Sequence, residues 1–340
     1  GTALDLPLEQ WLSTYTFPLE ARFADVAFAE RVYRSLIAAL VANGTTTAAY
    51  YATIHLPASL MLAELCLEAG QRAFVGLVMM DDPEQCPAGY RHRDAGEAIA
   101  VTERFVTGVV ELPGNSAGHV APIVTPRFIP SCTDEALEGA GRIAREGGCA
   151  VQTHCSESDW QHGYVLARHG MRDSESLERF GLLTGRTVLA HGNFMNDDDA
   201  GRILRAGSSV AHCPLSNYYF SNAVFPARHM LDRGLKVGLG TDIGGGPSAS
   251  VLENARAAAH ASRALEEGVH AELPPEARGR PEARLNAADV MWLATRGGAE
   301  ALGVDTGAFV PGFEFDAVVL DSEAPHSNLV LFQEIGRAHV

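Results

Sequence analysis

Apolar positions along the chain alternate between two rhythms. From Asp25 to Asn43, Val26, Ala29, Val32, Leu36, Leu40 and Val41 recur at helical spacing, and Gly44 follows. That pattern predicts a helix and its end. Thr45 to Tyr51 is rich in β-branched and aromatic residues and predicts a strand. The pair then repeats. Leu56 to Gly70 reads as a helix with Leu62, Leu65, Cys66 and Ala69 inward, and Phe74 to Met80 is a continuous apolar run. Before all of these, Leu4 to Phe23 lacks a clean period and reads as loop and short helix packed through Trp11, Tyr15, Phe17 and Phe23.

The same alternation continues beyond the polar loop Asp81 to Gly96 and a helix through Val106. Strands are predicted at Val120 to Thr125, Ala150 to Thr153, Thr187 to Ala190, Ser208 to Ala211 and Lys236 to Gly240. Between them, Thr133 caps a helix closing at Gly147-Gly148, another helix ends near Gly170, and Asn196 caps one through Arg205. Pro226 to Arg233, Ser248 to Glu267 and Asn286 to Thr295 are helical, with the Pro- and Arg-rich loop Pro274 to Arg284 before the last. Short strands joined by helix-length crossovers predict a parallel sheet covered on both faces, hence an α/β fold of the TIM-like (β/α)8 barrel type. Seven strands can be counted from Thr45 onward. A closed barrel has eight, so the first is expected to lie before Gly1. The chain opens on Gly1 rather than Met, which reads as the start of a fragment.

Phe313 to Asp321 alternates and reads as a strand of a separate all-β unit, which sets the barrel at 1–312 and a second region at 313–333. The last residues, 334–340, resemble a translated sequencing adapter and are expected to be a non-native tail.

Composition narrows the function classes. With 340 residues, 46% hydrophobic and 20% charged, the chain is a globular protein with ample core. A formal net charge of −16 argues against nucleic acid and against an anionic membrane surface. No apolar run reaches membrane-spanning length and no signal-peptide pattern opens the chain. Cys66, Cys86, Cys132, Cys149, Cys155 and Cys213 are scattered, a usage that predicts reduced thiols and a cytoplasmic protein. Lys236 is the only lysine, so chemistry requiring an active-site lysine has one candidate.

The chemistry gathers at predicted strand ends. Arg127 with Phe128, His154 with Glu157, His191, and Asp242 all fall there, and in a barrel those ends converge on one face. Histidine and carboxylate around an open position are what a catalytic zinc needs, and bound zinc brings the pKa of its water to roughly 7. A single histidine among 13 is more often a hydrogen-bonded core or surface group than a ligand. Three donors at the ends of strands of one barrel shift that balance towards a metal. Asp242 has a second use open to it, as cap of the next helix beside Gly244-Gly245-Gly246. His212 precedes Cys213-Pro214 and is read as structural or supporting, and His55 as structural. Arg127 could hold a planar carbonyl or ring nitrogen in its fork, and an ion pair with a carboxylate is an equal alternative. Phe128 could be core packing or could stack on a flat heterocycle.

Several stretches resemble the amidohydrolase superfamily: Thr-His-Cys-Ser-Glu at 153–157, Ala-His-Gly at 190–192, Ala-His-Cys-Pro-Leu-Ser-Asn at 211–217 and Gly-Leu-Gly-Thr-Asp at 238–242. Within it, Tyr-Thr-Phe-Pro at 15–18, Asn-Gly-Thr-Thr-Thr at 43–47, Ala-Thr-Ile-His at 52–55 and Thr-Pro-Arg-Phe at 125–128 are similar to the guanine deaminase family. The resemblance covers residues 1–321. It implies that His154 and Asp242 are zinc ligands, that Glu157 shuttles protons, and that His191 orients water or completes the metal's surroundings. Arg127 and Phe128 would bind the purine, together with His154, Glu157 and Asp242. It further implies one Zn2+ per subunit, guanine as the small-molecule substrate with xanthine and ammonia as products, and a homodimer. The family's remaining His-x-His ligands are absent from this sequence and expected upstream of Gly1. Residues 313–333 would be a remnant of the family's small β-sandwich domain. A second metal bridged by a lysine is excluded, since the only lysine, Lys236, opens the last strand, at the barrel's opposite face.

Overall fold

In a computed structural model of the protein, residues 6–319 are described. Expectations for 320–333 and for the tail at 334–340 lie outside the described residues. Eight strands form: β1 Thr47–Tyr51, β2 Arg72–Gly76, β3 Val78–Met79, β4 Val120–Pro126, β5 Ala150–Cys155, β6 Thr187–His191, β7 Ser209–His212 and β8 Lys236–Leu239. Hydrogen bonding follows the order β1-β2-β4-β5-β6-β7-β8, while the two-residue β3, just past the end of β2, pairs with β4. Every pairing is parallel. Apart from β2 and β3, which only Leu77 separates, helices connect successive strands, as a parallel ladder requires. The result is a TIM-like α/β sheet whose first and last strands, β1 and β8, each have one ladder neighbour among the described residues.

The predicted elements form for local reasons. Asp25 accepts from the backbone N–H groups of Ala27 and Phe28 and so starts the helix Val26–Ala42. Thr133 caps Asp134–Gly147, which ends on Gly148 in the left-handed conformation. Asn196 and Asp199 form a reciprocal capping box at Asp197–Ala206. The strands' outward side chains Val151, Leu189, Val210 and Val237 pack with Leu137, Leu177, Ile203 and Met230 of the helices in one apolar cluster. Burying each such side chain contributes about 1.5–3 kcal/mol.

Three expectations are corrected. Leu8–Ala24 is an almost unbroken helical run including a π turn at Leu12–Thr16, rather than loop with a short helix. Tertiary burial explains it: Leu8, Trp11, Leu12 and Phe17 pack with Tyr90, Phe128 and Phe220, so the run is held by its neighbours and not by its own period. The short helices Asp173–Arg179 and Pro214–Phe220 also form, each too brief to show a period. Phe313 to Asp321 is not a strand over its described part, which ends at 319. Its alternating side chains instead divide between two partners. Glu314 and Asp316 pair with Arg72 at the start of β2, the latter at 2.8 Å, and Phe313 lies under Arg296 at 4.6 Å. The described residues 313–319 thus contribute no strand, and the rest of the region expected at 313–333 lies outside the described residues.

The loop Asp81 to Gly96 is pinned to the barrel. Asp81 accepts from the Thr133 backbone N–H at 2.8 Å and from its hydroxyl at 2.6 Å, and Tyr90 is fully buried.

The barrel interior carries polar cross-links. Gln152 on β5 donates to the Tyr50 carbonyl at 2.8 Å and to Thr125 Oγ1 at 3.0 Å. Gly76 makes room for this contact, since a Cβ there would stand 2.7 Å from Gln152 Nε2 and closer still to Thr125 Oγ1. Gly76→Ala is therefore predicted to destabilise the fold by about 1–3 kcal/mol, the cost of overpacking a tight core. Chemical denaturation would measure it, and an unchanged midpoint would contradict the packing described.

Candidate metal centre and active site

Successive side chains of a strand point to opposite faces, and β5 uses both. Val151 and Cys155 face the helices in the apolar cluster, while Gln152 and His154 face the barrel interior. In the β5–β6 ladder His154 stands opposite Ala190, and Cys155 opposite His191. His191 ends β6, and Asp242 follows the end of β8. One potential ligand atom from each of His154, His191 and Asp242 lies within 4.8 Å of the others. Three residues separated by almost ninety positions thus meet at the carboxyl ends of the strands, where a barrel of this kind keeps its chemistry.

The donor set fits a divalent metal. His154 Nδ1 is 2.7 Å from the Arg127 carbonyl, which can only accept, so Nδ1 carries the hydrogen and Nε2 keeps its lone pair. His191 Nε2 is fully buried without a hydrogen-bond partner. Its nearest charged neighbour is Glu157 Oε1 at 3.6 Å. The two imidazoles stack with centroids 5.3 Å apart. Burial, then the neighbouring His191 and Arg127, hold the His154 imidazole well below its ordinary pKa, so it remains neutral and able to ligate.

Backbone strain marks the same place. Four non-glycine residues among those described have left-handed backbone, and Ser156 (φ 49°), His191 (φ 76°) and Asp242 (φ 48°) are three of them. Such conformations cost of order 1–3 kcal/mol each and persist only where the surroundings impose them. Gly245 serves the same turn by absence, because a Cβ there would lie 2.7 Å from Asp242 Oδ2. Asp242 does not cap the following helix; Ser250 does, accepting from Glu253.

The other expected residues fall as follows. Glu157 is buried beside His191 at the start of the loop after β5. Arg127 follows β4 and its guanidinium is taken bidentately by Glu20 of the N-terminal helical run, at 2.7 and 3.0 Å. The ion-pair alternative is thus realised in this structure. Phe128 is 3% exposed and belongs to the apolar cluster with Leu8, Trp11 and Phe17, its ring steeply inclined to that of His154 with centroids 6.5 Å apart. His212 ends β7 against Phe225, and burial pushes its pKa down to about 3. Lys236 bonds the Gly207 carbonyl at the start of β8, at the opposite end of the strand from Asp242.

Two groups escaped the sequence reading. Glu20 gave no signal, because its partner is 107 positions away. Tyr51 ends β1 with its ring 4.3 Å from that of His154, and its hydroxyl is buried without a partner. Its place at a strand end was the available clue.

A model of the Amidohydrolase family matches residues 1–338, and the chain belongs to that family. Within the family its likeness is to the guanine deaminases. It is 36% identical to a probable guanine deaminase of Schizosaccharomyces pombe over 98% of this chain and 62% of that protein. It is 38% identical to the Homo sapiens guanine deaminase over 98% of this chain and 71% of that protein. The crystal structure of the C. acetobutylicum guanine deaminase with bound guanine superposes with a TM-score of 0.87 at 29% identity, covering 98% of this chain and 75% of that one. The chain therefore spans between three-fifths and three-quarters of these proteins.

Burial pushes the Glu157 carboxyl up to about 7, with His191 lowering it and Asp242 raising it further. The folded, metal-free state thus holds a proton on Glu157 that the unfolded chain releases above its ordinary value of 4.5. Stability is lost as pH rises through that window. Glu157→Gln removes the titration, so from pH 5 to pH 8 the stability difference should move in the variant's favour by on the order of 2–3 kcal/mol. Denaturation of the metal-free proteins at both pH values checks this, and a pH-independent difference would place the carboxyl in its ordinary range.

Proposed function

We propose that the protein carrying this chain is a zinc-dependent guanine deaminase that hydrolyses guanine to xanthine and ammonia. The observation that carries the reading is the meeting of His154, His191 and Asp242 beside a buried Glu157, in a chain whose relatives are guanine deaminases. His154 and Asp242 would hold one zinc per subunit, with His191 completing its surroundings. When bound, zinc makes hydroxide available near neutral pH by lowering the pKa of water.

The chain's own residues do the rest. Asp242 takes the proton of the water that attacks C2 of guanine. Glu157, raised to about 7, is protonated often enough near neutrality to deliver a proton to a ring nitrogen and still recover one. As the tetrahedral carbon collapses, the proton held by Asp242 passes to the amino group, which leaves as ammonia, and Glu157 takes back the proton of the C2 hydroxyl, which becomes the xanthine carbonyl. Arg127 offers its guanidinium to the purine carbonyl while Glu20 fixes its orientation, and Phe128 borders the ring. Six free cysteines support a cytoplasmic setting, and the family resemblance implies a homodimer.

In the zinc-loaded protein, Glu157→Gln should keep its metal while losing at least about 100-fold in kcat, the usual scale of general acid–base catalysis. Metal analysis alongside a guanine-to-xanthine assay reads both quantities; loss of zinc itself would mean that Glu157 is a ligand. Arg127→Ala should cost about 10²-fold or more in kcat/KM for guanine, because a site built to bond a polar group is left unpaired without it. The substitution also strands Glu20, so an Arg127→Ala, Glu20→Ala double variant separates lost recognition from lost stability. A full rate on guanine in that double variant would overturn the assignment.

A further inference from the structure

His191 is held by a chain of hydrogen bonds whose direction can be settled from one end. The backbone carbonyl of Glu157 lies 2.9 Å from Asn193 Nδ2. A carbonyl has no hydrogen to give, so the amide nitrogen of Asn193 must face it. Asn193 Oδ1 therefore faces the next group, Asn217 Nδ2, at 2.8 Å. Asn217 Oδ1 then faces His191 Nδ1 at 2.9 Å, and Nδ1 must carry the imidazole hydrogen. Reversing any member sets two acceptors, or two donors, against each other somewhere along the chain. All three side chains are buried, at 6%, 4% and 0% exposure, so water does not relieve such a clash.

We infer that Asn193 and Asn217 are positioning residues that lock His191 in its Nδ1–H tautomer and present a bare Nε2 lone pair to the metal centre. The relay ties three consecutive strand ends together: Glu157 follows β5, Asn193 lies two residues past β6, and Asn217 sits on the helix Pro214–Phe220 after β7. It also gives His191 and Glu157 a fixed relation. Nε2 and Glu157 Oε1 face each other at 3.6 Å, so a bare Nε2 can be bridged to the carboxyl by a cation or by a proton held on Glu157. The opposite tautomer would turn a hydrogen towards the centre and block ligation. The catalytic consequence rests on the function proposed above, whereas the tautomer itself does not.

The test reads the tautomer directly in the metal-free chain, labelled with 15N-histidine, with His191 assigned by the signals lost in His191→Gln. Wild type should show a protonated Nδ1 and an unprotonated Nε2. Asn217→Leu, which removes the accepting oxygen opposite Nδ1, should shift His191 towards a mixture of tautomers. Zinc affinity, measured by chelator competition, should fall about 10- to 100-fold in Asn217→Leu, the usual effect of losing such a support. A hydrogen on Nε2 in the wild-type protein overturns the inference even if no variant folds. An unchanged tautomer in a folded Asn217→Leu overturns it equally. The expected tautomer in a complete, zinc-loaded protein that leaves guanine untouched would sink the proposed function and leave the relay standing.

Discussion

The site depends on the parallel register of β5 and β6. A parallel ladder brings carboxyl ends to a common edge, and the pairing of Cys155 with His191 places the second imidazole one step beyond the first. A slip of one residue would turn His154 towards the helices and Cys155 inward. The polar interior, where Gln152 reaches Tyr50 and Thr125, therefore does more than fill space. It resists the slip that would separate the candidate donors. The apolar cluster outside the sheet opposes the same error, because Val151 and Cys155 would have to leave it.

Charge inside the mouth is balanced locally and not by solvent. Arg127 and Glu20 neutralise each other, His154 and His212 are held neutral by burial, and Glu157 resists ionising. The overall charge of −16 is thus a property of the surface, and it says little about the pocket.

Much of this was legible in the sequence where the cause is local. Strands and helices followed from period and cap because Asp25, Thr133 and Asn196 act within three residues of themselves. Strand-end placement also picked out His154, His191 and Asp242 before their proximity was known. The failures share a different cause. Leu8–Ala24 is helical because distant aromatic residues cover it, and the alternation at 313–319 is answered by Arg72 and Arg296 instead of a strand. Neither partner stands near in the sequence. Asn217 lay within a recognised motif, but its purpose needed Asn193 and Glu157 in space.

The left-handed backbone at Ser156, His191 and Asp242 sets stability against function at those three positions. Glycine would relax each of them, and a chain selected for folding alone would drift that way. At Ser156 the drift is open, because the side chain is not a candidate ligand. At His191 and Asp242 it is closed, because the strained residue is itself a candidate metal donor. The centre is in this sense a local debt that the rest of the barrel must cover, and mutations that loosen the core elsewhere should be felt first in the geometry of these two turns.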